Sequence, residues 1–266
     1  MLWFGFFRTA PLFLRPAFYN DGKYWSADTN TDDINDFLVS YSVMDYLPQL
    51  SDFSDTGKGS YINLVSNQTH ESIILQYPDY VPVSKVTDKG SGRFADDGAY
   101  HSNAAALKRI GEWLDLLKEK GVYDNTRIIL VADHGASSKE DGYTWDETFE
   151  QIGPGHYHPL LLFKDFGSSG KLSVNSDFMT NADVPSLLLD GLVDNAVNPF
   201  TNKAINREES SKEKEKGALV CTSNIFMPYH TKSKYIFTTN DTDWWRVKNN
   251  IFESSNWTQE KHSYTK

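Results

Sequence analysis

An aspartate and a histidine stand side by side in Val131, Ala132, Asp133, His134, Gly135, directly after the run Arg127, Ile128, Ile129, Leu130. The run reads as a buried strand, so the two polar residues at its carboxyl end would be costly to bury without a shared purpose. Chelation of a metal by carboxylate and imidazole is one such purpose. Neighbouring side chains on a regular strand point to opposite faces, so joint chelation requires the backbone to leave the strand at Asp133, a turn that Gly135 would permit. In open α/β sheets ligand sites lie outside the carboxyl ends of the strands. On the pentad alone, an Asp/His/Gly turn in which Asp133 caps the next segment explains the residues equally well.

The other histidines with a bearing on chemistry also fall next to expected strands. His70 follows the short strand candidate Tyr61 to Val65, within Ser66, Asn67, Gln68, Thr69, His70, Glu71; His156 and His158 precede the strand Pro159 to Phe163. Taken singly they are loop hydrogen-bonders or turn residues. At the same edge of one sheet they would instead line a pocket for a metal and an anionic ester.

Helices and turns must position these groups. Asp33 to Leu47 carries Ile34, Phe37, Leu38, Tyr41, Met44 and Leu47 at near-helical spacing behind a Thr31, Asp32, Asp33 cap signal, with Pro48 at its end. The clearest helix spans about Tyr100 to Lys120, with Ala104, Leu107, Ile110, Leu114 and Leu117 on its apolar face and Gly121 as its stop. It leads through Tyr123, Asp124, Asn125 and Thr126 into the strand ending at Asp133, the helix–turn–strand unit of an α/β protein. Residues 78–97 read as loop, and Ala136 to Gly155 as a long polar loop of the kind that serves function. Asp183 is the expected N-cap of a helix over Ser186 to Leu192, with Pro185 in its first turn. Arg207 to Lys216 reads as a mixed-charge run in a solvated loop or a disordered excursion, and Tyr235 to Thr239 as a strand. The tail holds Trp244, Trp245, Phe252 and Trp257, too aromatic for a free end.

Composition narrows the options further. A chain of 266 residues, 39% hydrophobic and 14% aromatic, has ample material for a core. A net charge of −10 without a Lys/Arg cluster argues against nucleic acid as a partner. One cysteine, Cys221, excludes an internal disulfide and a Cys-based zinc site, so a metal would be held by oxygen and nitrogen. The segment Met1 to Phe18 is too short and too interrupted by Arg8, Pro11, Arg15 and Pro16 to span a bilayer, and reads as buried or interfacial.

As a whole the chain resembles the sulfatase-like branch of the alkaline phosphatase superfamily. Gly111 to Gly135, GEWLDLLKEKGVYDNTRIILVADHG, looks like that group's helix, turn and Asp-His-Gly strand. Within the branch the likeness is to membrane-anchored phosphoglycerol and phosphoethanolamine transferases, which include lipoteichoic acid synthases. HPLLLFKDF from His158, FMTNADVP from Phe178, NPFTNK from Asn198 and VKNNIFESSNW from Val247 are similar to later strands and the tail of bacterial members. The likeness runs from about Tyr19 onward.

The resemblance implies an α/β fold with an alkaline phosphatase-like mixed sheet flanked by helices, a single domain portion over residues 1–266. It implies that Asp133 and His134 ligate a catalytic divalent ion (zinc, manganese, magnesium or calcium) beside a Thr or Ser nucleophile. It assigns His70 to the ester oxygens or the leaving group, and His158, favoured over His156 because it adjoins Pro159, to charge neutralisation on the ester. The substrate would be an anionic ester on a lipid or glycan head group, handled at the outer face of a bacterial membrane through anchoring segments outside this chain. Cys221 has no C-x-P-x-R context, which favours phosphate over sulfate chemistry. The family's nucleophile and another acidic ligand precede the Asp-His-Gly strand, and no segment here looks like either. The chain is therefore expected to be the carboxyl-terminal portion of a larger or split enzyme, and Ser137 and Ser138 are read as loop residues. The competing expectation is a non-catalytic remnant that binds a partner or an anionic glycan.

Overall fold

The computed structural model describes residues 7–19, 32–55, 57–136, 153–222 and 241–261. The chain forms two compact units, Met1–Tyr123 and Asp124–Lys266. Among the described residues, no helix is long and apolar enough to cross a membrane.

In the first unit, α1 (Arg15–Tyr19) follows a start in which Ala10 is buried and Leu12 and Phe13 are exposed. α2 (Asp32–Asp45) is followed by the single turn α3 (Leu47–Leu50). Pro48 ends nothing by itself; it sits in the first turn of α3, where its missing N–H costs no hydrogen bond. α2 buries Phe37, Tyr41 and Met44, spaced i, i+4, i+7, and leaves Ile34 and Leu38 exposed, a narrower stripe than expected.

α4 (Gly98–Glu119) is the longest helix among the described residues. Asp97 caps it by accepting from the Tyr100 N–H, one residue turn before the expected start. At the other end Gly121, at φ 70°, donates to the Lys118 carbonyl while Val122 donates to Leu117, the paired bonds that close a helix through a left-handed residue. Its buried face is rotated from the expected one: His101, Ser102, Ala105 and Leu117 are inside and Leu107 is exposed. His101 tolerates full burial because both ring nitrogens are engaged, Nδ1 with the Leu75 backbone at 3.1 Å and Nε2 with the Ala95 carbonyl at 3.0 Å. Ser102 Oγ donates to Glu71 O and accepts from Ile73 N–H, which fastens the chain after His70 to this helix. Phe37, Tyr41, Leu75 and Ala105 make the core of the unit, with Ile73 and Tyr80 against it.

Tyr61 to Val65, a strand candidate by propensity, forms no ladder among the described residues. Tyr61, Ile62 and Val65 are more than 70% exposed. β propensity expresses packing against neighbours, and side chains this exposed gain little of it among the described residues.

Among the described residues, the second unit holds two antiparallel sheets. β1 (Ile128–Val131) pairs with β2 (Leu161–Lys164), Val131 opposite Leu161. Both strands were legible as apolar runs, but β1 is half-exposed rather than buried, with Val131 at its open end. The second sheet orders β3 (Ala218–Cys221), β4 (Trp244–Val247) and β5 (Trp257–Gln259) side by side. Val247 and Trp257 form its core with Tyr157, Phe178, Trp245 and Ile251, so the aromatic tail is anchored as its composition suggests. The Trp257 indole N–H donates to Ile251 O at 2.7 Å.

Two helices accompany these sheets among the described residues. α5 (Val184–Leu189) is shorter than expected and follows a 3-10 turn over Asn181–Asp183. Asp183 does not cap α5 with its side chain; it reaches back to Thr180 N–H in a reciprocal capping box. α6 (Arg207–Lys216) replaces the expected loop. Asn206 caps it by accepting from Glu209 N–H, and Lys212 lies between Glu208 and Glu209 at helical i, i+4 and i, i+3 spacing. Tyr235 to Thr239 lies outside the described residues.

Candidate functional site

Four of the five residues singled out by sequence lie in the second unit, and two backbone segments bring them together. The β1–β2 ladder extends by one bond beyond Val131, from Ala132 N–H to Leu160 O at 3.0 Å. The chain then turns away. Gly135 N–H donates to His156 O at 2.9 Å, which seats the Asp-His-Gly turn on the 3-10 turn Pro154–Tyr157.

The seat is close enough to demand glycine. A Cβ at position 135 would lie 2.2 Å from Gly155 O and 2.6 Å from His158 O. Gly135 is not among the residues with positive φ, so its value is the absence of a side chain rather than freedom of backbone rotation. The 3-10 turn is itself fixed from below by Tyr157. The Tyr157 hydroxyl donates to Cys221 O at 3.1 Å and its ring meets Trp257 edge-on at 5.9 Å, and burial raises its pKa above the usual tyrosine value.

Asp133 and His134 project outward from this frame. Their side chains are 92% and 64% exposed, and Asp133 Oδ2 lies 3.8 Å from His134 Nε2. Asp133 Oδ1 accepts from the His134 backbone N–H at 3.0 Å. His134 Nδ1 lies 2.7 Å from Gly135 O, a contact that a protonated Nδ1 makes as donor. That tautomer leaves the Nε2 lone pair directed outward beside the carboxylate. Histidines that bind metal commonly donate their second ring nitrogen to a carbonyl in this way. The donor set, one carboxylate oxygen and one imidazole nitrogen held on neighbouring residues, suits a divalent ion. Among the described residues no third His, Cys, Asp or Glu joins them to make a group of three.

His156 and His158 flank Tyr157 and are both exposed. His158 meets the Phe252 ring edge-on at 5.0 Å, and the His156 ring lies over Gly153, whose φ is 62°. His70 belongs to the first unit. It is exposed, with Nδ1 2.6 Å from Glu71 Oε1. Two residues earlier, Gln68 is fully buried, and its side-chain oxygen and nitrogen have no hydrogen-bond partner among the described residues. Ser137, Ser138 and the long loop over residues 137–152 lie outside the described residues.

The opposite end of β1 is held by Arg127. Its guanidinium bonds Asp165 through Nε at 2.9 Å, donates to Leu188 O and Asp190 O at the end of α5, and lies 4.8 Å from the Phe166 ring centre. The hydrogen bond from Arg127 and one from Phe166 N–H hold the Asp165 pKa below the usual carboxylate value.

One residue near the turn was not singled out from sequence. Asn181 Nδ2 donates to Ala132 O at 3.0 Å and to Asp133 O at 3.2 Å. The Thr180 to Asp183 spacing, a Thr-x-x-Asp pattern, is the signal that marks the turn bearing it.

A family model described as Sulfatase matches residues 15–192, about two thirds of the chain. No curated protein and no solved structure matches it.

Proposed function

The chain belongs to the sulfatase family, and from that membership we propose that it serves metal-dependent transfer or hydrolysis of a phosphate or sulfate ester. An alkaline phosphatase-like α/β architecture and the general use of a divalent metal ion follow from the family. The reading put forward is narrower: phospho-transfer of the phosphoglycerol or phosphoethanolamine type, on a lipid or glycan head group at the outer face of a bacterial membrane. In it the chain is the carboxyl-terminal portion of a mixed-sheet domain, and a Thr or Ser nucleophile comes from a segment not recognisable here.

The observation that carries this reading is the Asp133–His134 pair, with Nε2 of His134 left free by the Nδ1 contact to Gly135 O. Asp133 and His134 would hold the ion, which when bound supplies charge neutralisation at a non-bridging ester oxygen and activation of a coordinated hydroxyl. His158, or His156 beside it, carries positive charge toward the ester when protonated.

The test is isothermal titration of the metal-stripped chain with zinc and with manganese, in the native sequence and in Asp133→Ala and His134→Ala, followed by a phosphodiester hydrolysis assay. Micromolar binding lost by roughly 100-fold or more in either variant, beyond the usual 10–100-fold effect of outer-shell changes, supports the assignment. Equal affinity in all three proteins refutes it. Binding with turnover would place a nucleophile within this chain, and absence of binding would favour the non-catalytic remnant.

A further inference from the structure

We propose that Asn181 is a positioning residue for the Asp133–His134 pair, acting through the backbone rather than through either side chain; this rests on the metal-site reading of that pair. The β1–β2 ladder ends just before the pair, and the carbonyls of Ala132 and Asp133 both receive a hydrogen bond from the Asn181 carboxamide nitrogen, at 3.0 and 3.2 Å. An amide nitrogen carries two hydrogens, so one group satisfies both acceptors.

The geometric consequence follows from peptide planarity. The Ala132 carbonyl lies in the peptide plane that enters the Cα of Asp133, and the Asp133 carbonyl lies in the plane that leaves it. Restraining both planes fixes φ and ψ of Asp133, and with them the direction of its Cα–Cβ bond. The second plane also contains the His134 N–H, which donates to Asp133 Oδ1. One carboxamide thereby orients the carboxylate and the start of the following residue, leaving Gly135 to complete the turn against His156 O.

The carboxamide is itself held by a braced frame. Asn181 opens the 3-10 turn closed by the Thr180–Asp183 capping box, in which Thr180 N–H donates to Asp183 Oδ2 at 2.8 Å and Asp183 N–H donates to the Thr180 side chain, beside a backbone bond from Asp183 N–H to Thr180 O at 2.9 Å. Asp183 is buried, Ser186 Oγ donates to its carbonyl at 2.8 Å, and Lys214 of α6 lies 3.7 Å from its Oδ1. A donor on so fixed a base prepays the ordering that two exposed ligands would otherwise undergo on binding an ion.

Asn181→Leu keeps the size and removes the donor; Asn181→Ala removes both. Each is measured by zinc and manganese titration of the metal-stripped chain, by amide hydrogen exchange at His134 and Gly135 without metal, and by thermal melting. The expected result is a loss of metal affinity of roughly 10-fold in both variants. Faster exchange at the two amides should accompany it, with melting temperatures within about 6 °C of the native chain, as for loss of two exposed hydrogen bonds. Native affinity in Asn181→Leu, while Asp133→Ala abolishes binding, overturns the proposal and leaves the metal site standing. Unchanged affinity in Asp133→Ala overturns the metal-site reading instead, and the exchange rates then report whether Asn181 holds the turn.

Discussion

Replacing Gly135 by alanine is the sharpest perturbation of the frame that presents Asp133 and His134. The added Cβ would sit 2.2 Å from Gly155 O, 2.6 Å from His158 O and 3.0 Å from His158 C. All three are backbone atoms, so no side-chain rotation relieves the overlap; the two segments must separate by about 1 Å to restore ordinary contact. That movement stretches the 2.9 Å bond from Gly135 N–H to His156 O beyond useful range. Overpacking of this kind costs about 1–3 kcal/mol and the lost hydrogen bond about 1 kcal/mol. A destabilisation of about 2–4 kcal/mol corresponds to a melting temperature lower by roughly 6–12 °C for a unit of this size. Gly111, inside α4 with nothing within 4 Å of its would-be Cβ, is the control. There alanine should stabilise by about 0.5–1 kcal/mol, because it only relieves the helix of glycine's backbone entropy. Thermal melting followed by tryptophan fluorescence reads both effects, with Trp244, Trp245 and Trp257 reporting on the second unit and Trp113 of α4 on the first. A Gly135→Ala protein that melts with the native chain would refute the packing argument.

Two further outcomes follow from the charged and buried polar groups. Asp165→Asn should be less stable to urea than the native chain at pH 7, with the difference closing as pH falls below about 4. The Asp165 pKa is held down in the folded state by Arg127, so its stabilisation is present above the unfolded value and lost as pH falls through the folded one; a pH-independent difference would contradict this. Gln68→Met should raise the melting temperature, because the buried amide has no partner among the described residues and an unsatisfied buried polar group costs about 1–3 kcal/mol. A lower melting temperature would show that the amide is satisfied by a group not yet located.

The elements legible in the sequence were those whose signals are local. The helix over Gly98–Glu119 announces itself through its apolar content and its Gly121 stop, and β1 and β2 through short aliphatic runs. The exact face of the helix was not legible, because a histidine with both nitrogens paired by backbone from elsewhere in the chain can be buried as readily as a leucine. α6 escaped notice for the opposite reason: Arg207 to Lys216 has no apolar period, and its helix rests on a cap and ion pairs that composition alone presents as a solvated run. Tyr61 to Val65 carries strand propensity but forms no ladder among the described residues. At the site, the adjacency of Asp133 and His134 and the importance of Gly135 were readable. The reason for the glycine was not, since it depends on the approach of Gly155 and His158, and neither was Asn181, whose role is a contact across 48 residues of sequence.

The exposed run Tyr61 to Val65 bears on how the protein behaves as a colloid. From Gly59 to Thr69 there is no charged side chain, although the chain carries a net charge of −10. Repulsion between copies therefore comes from charges outside the apolar run, over a range of about 10 Å at 0.1 M salt and about 3 Å at 1 M. Natural edge strands are guarded by lysine, proline or a bulge, and this run has none of the first two. Its solubility thus depends on electrolyte: dilute buffer keeps copies apart, while concentrated salt removes that barrier and strengthens apolar attraction in the same step.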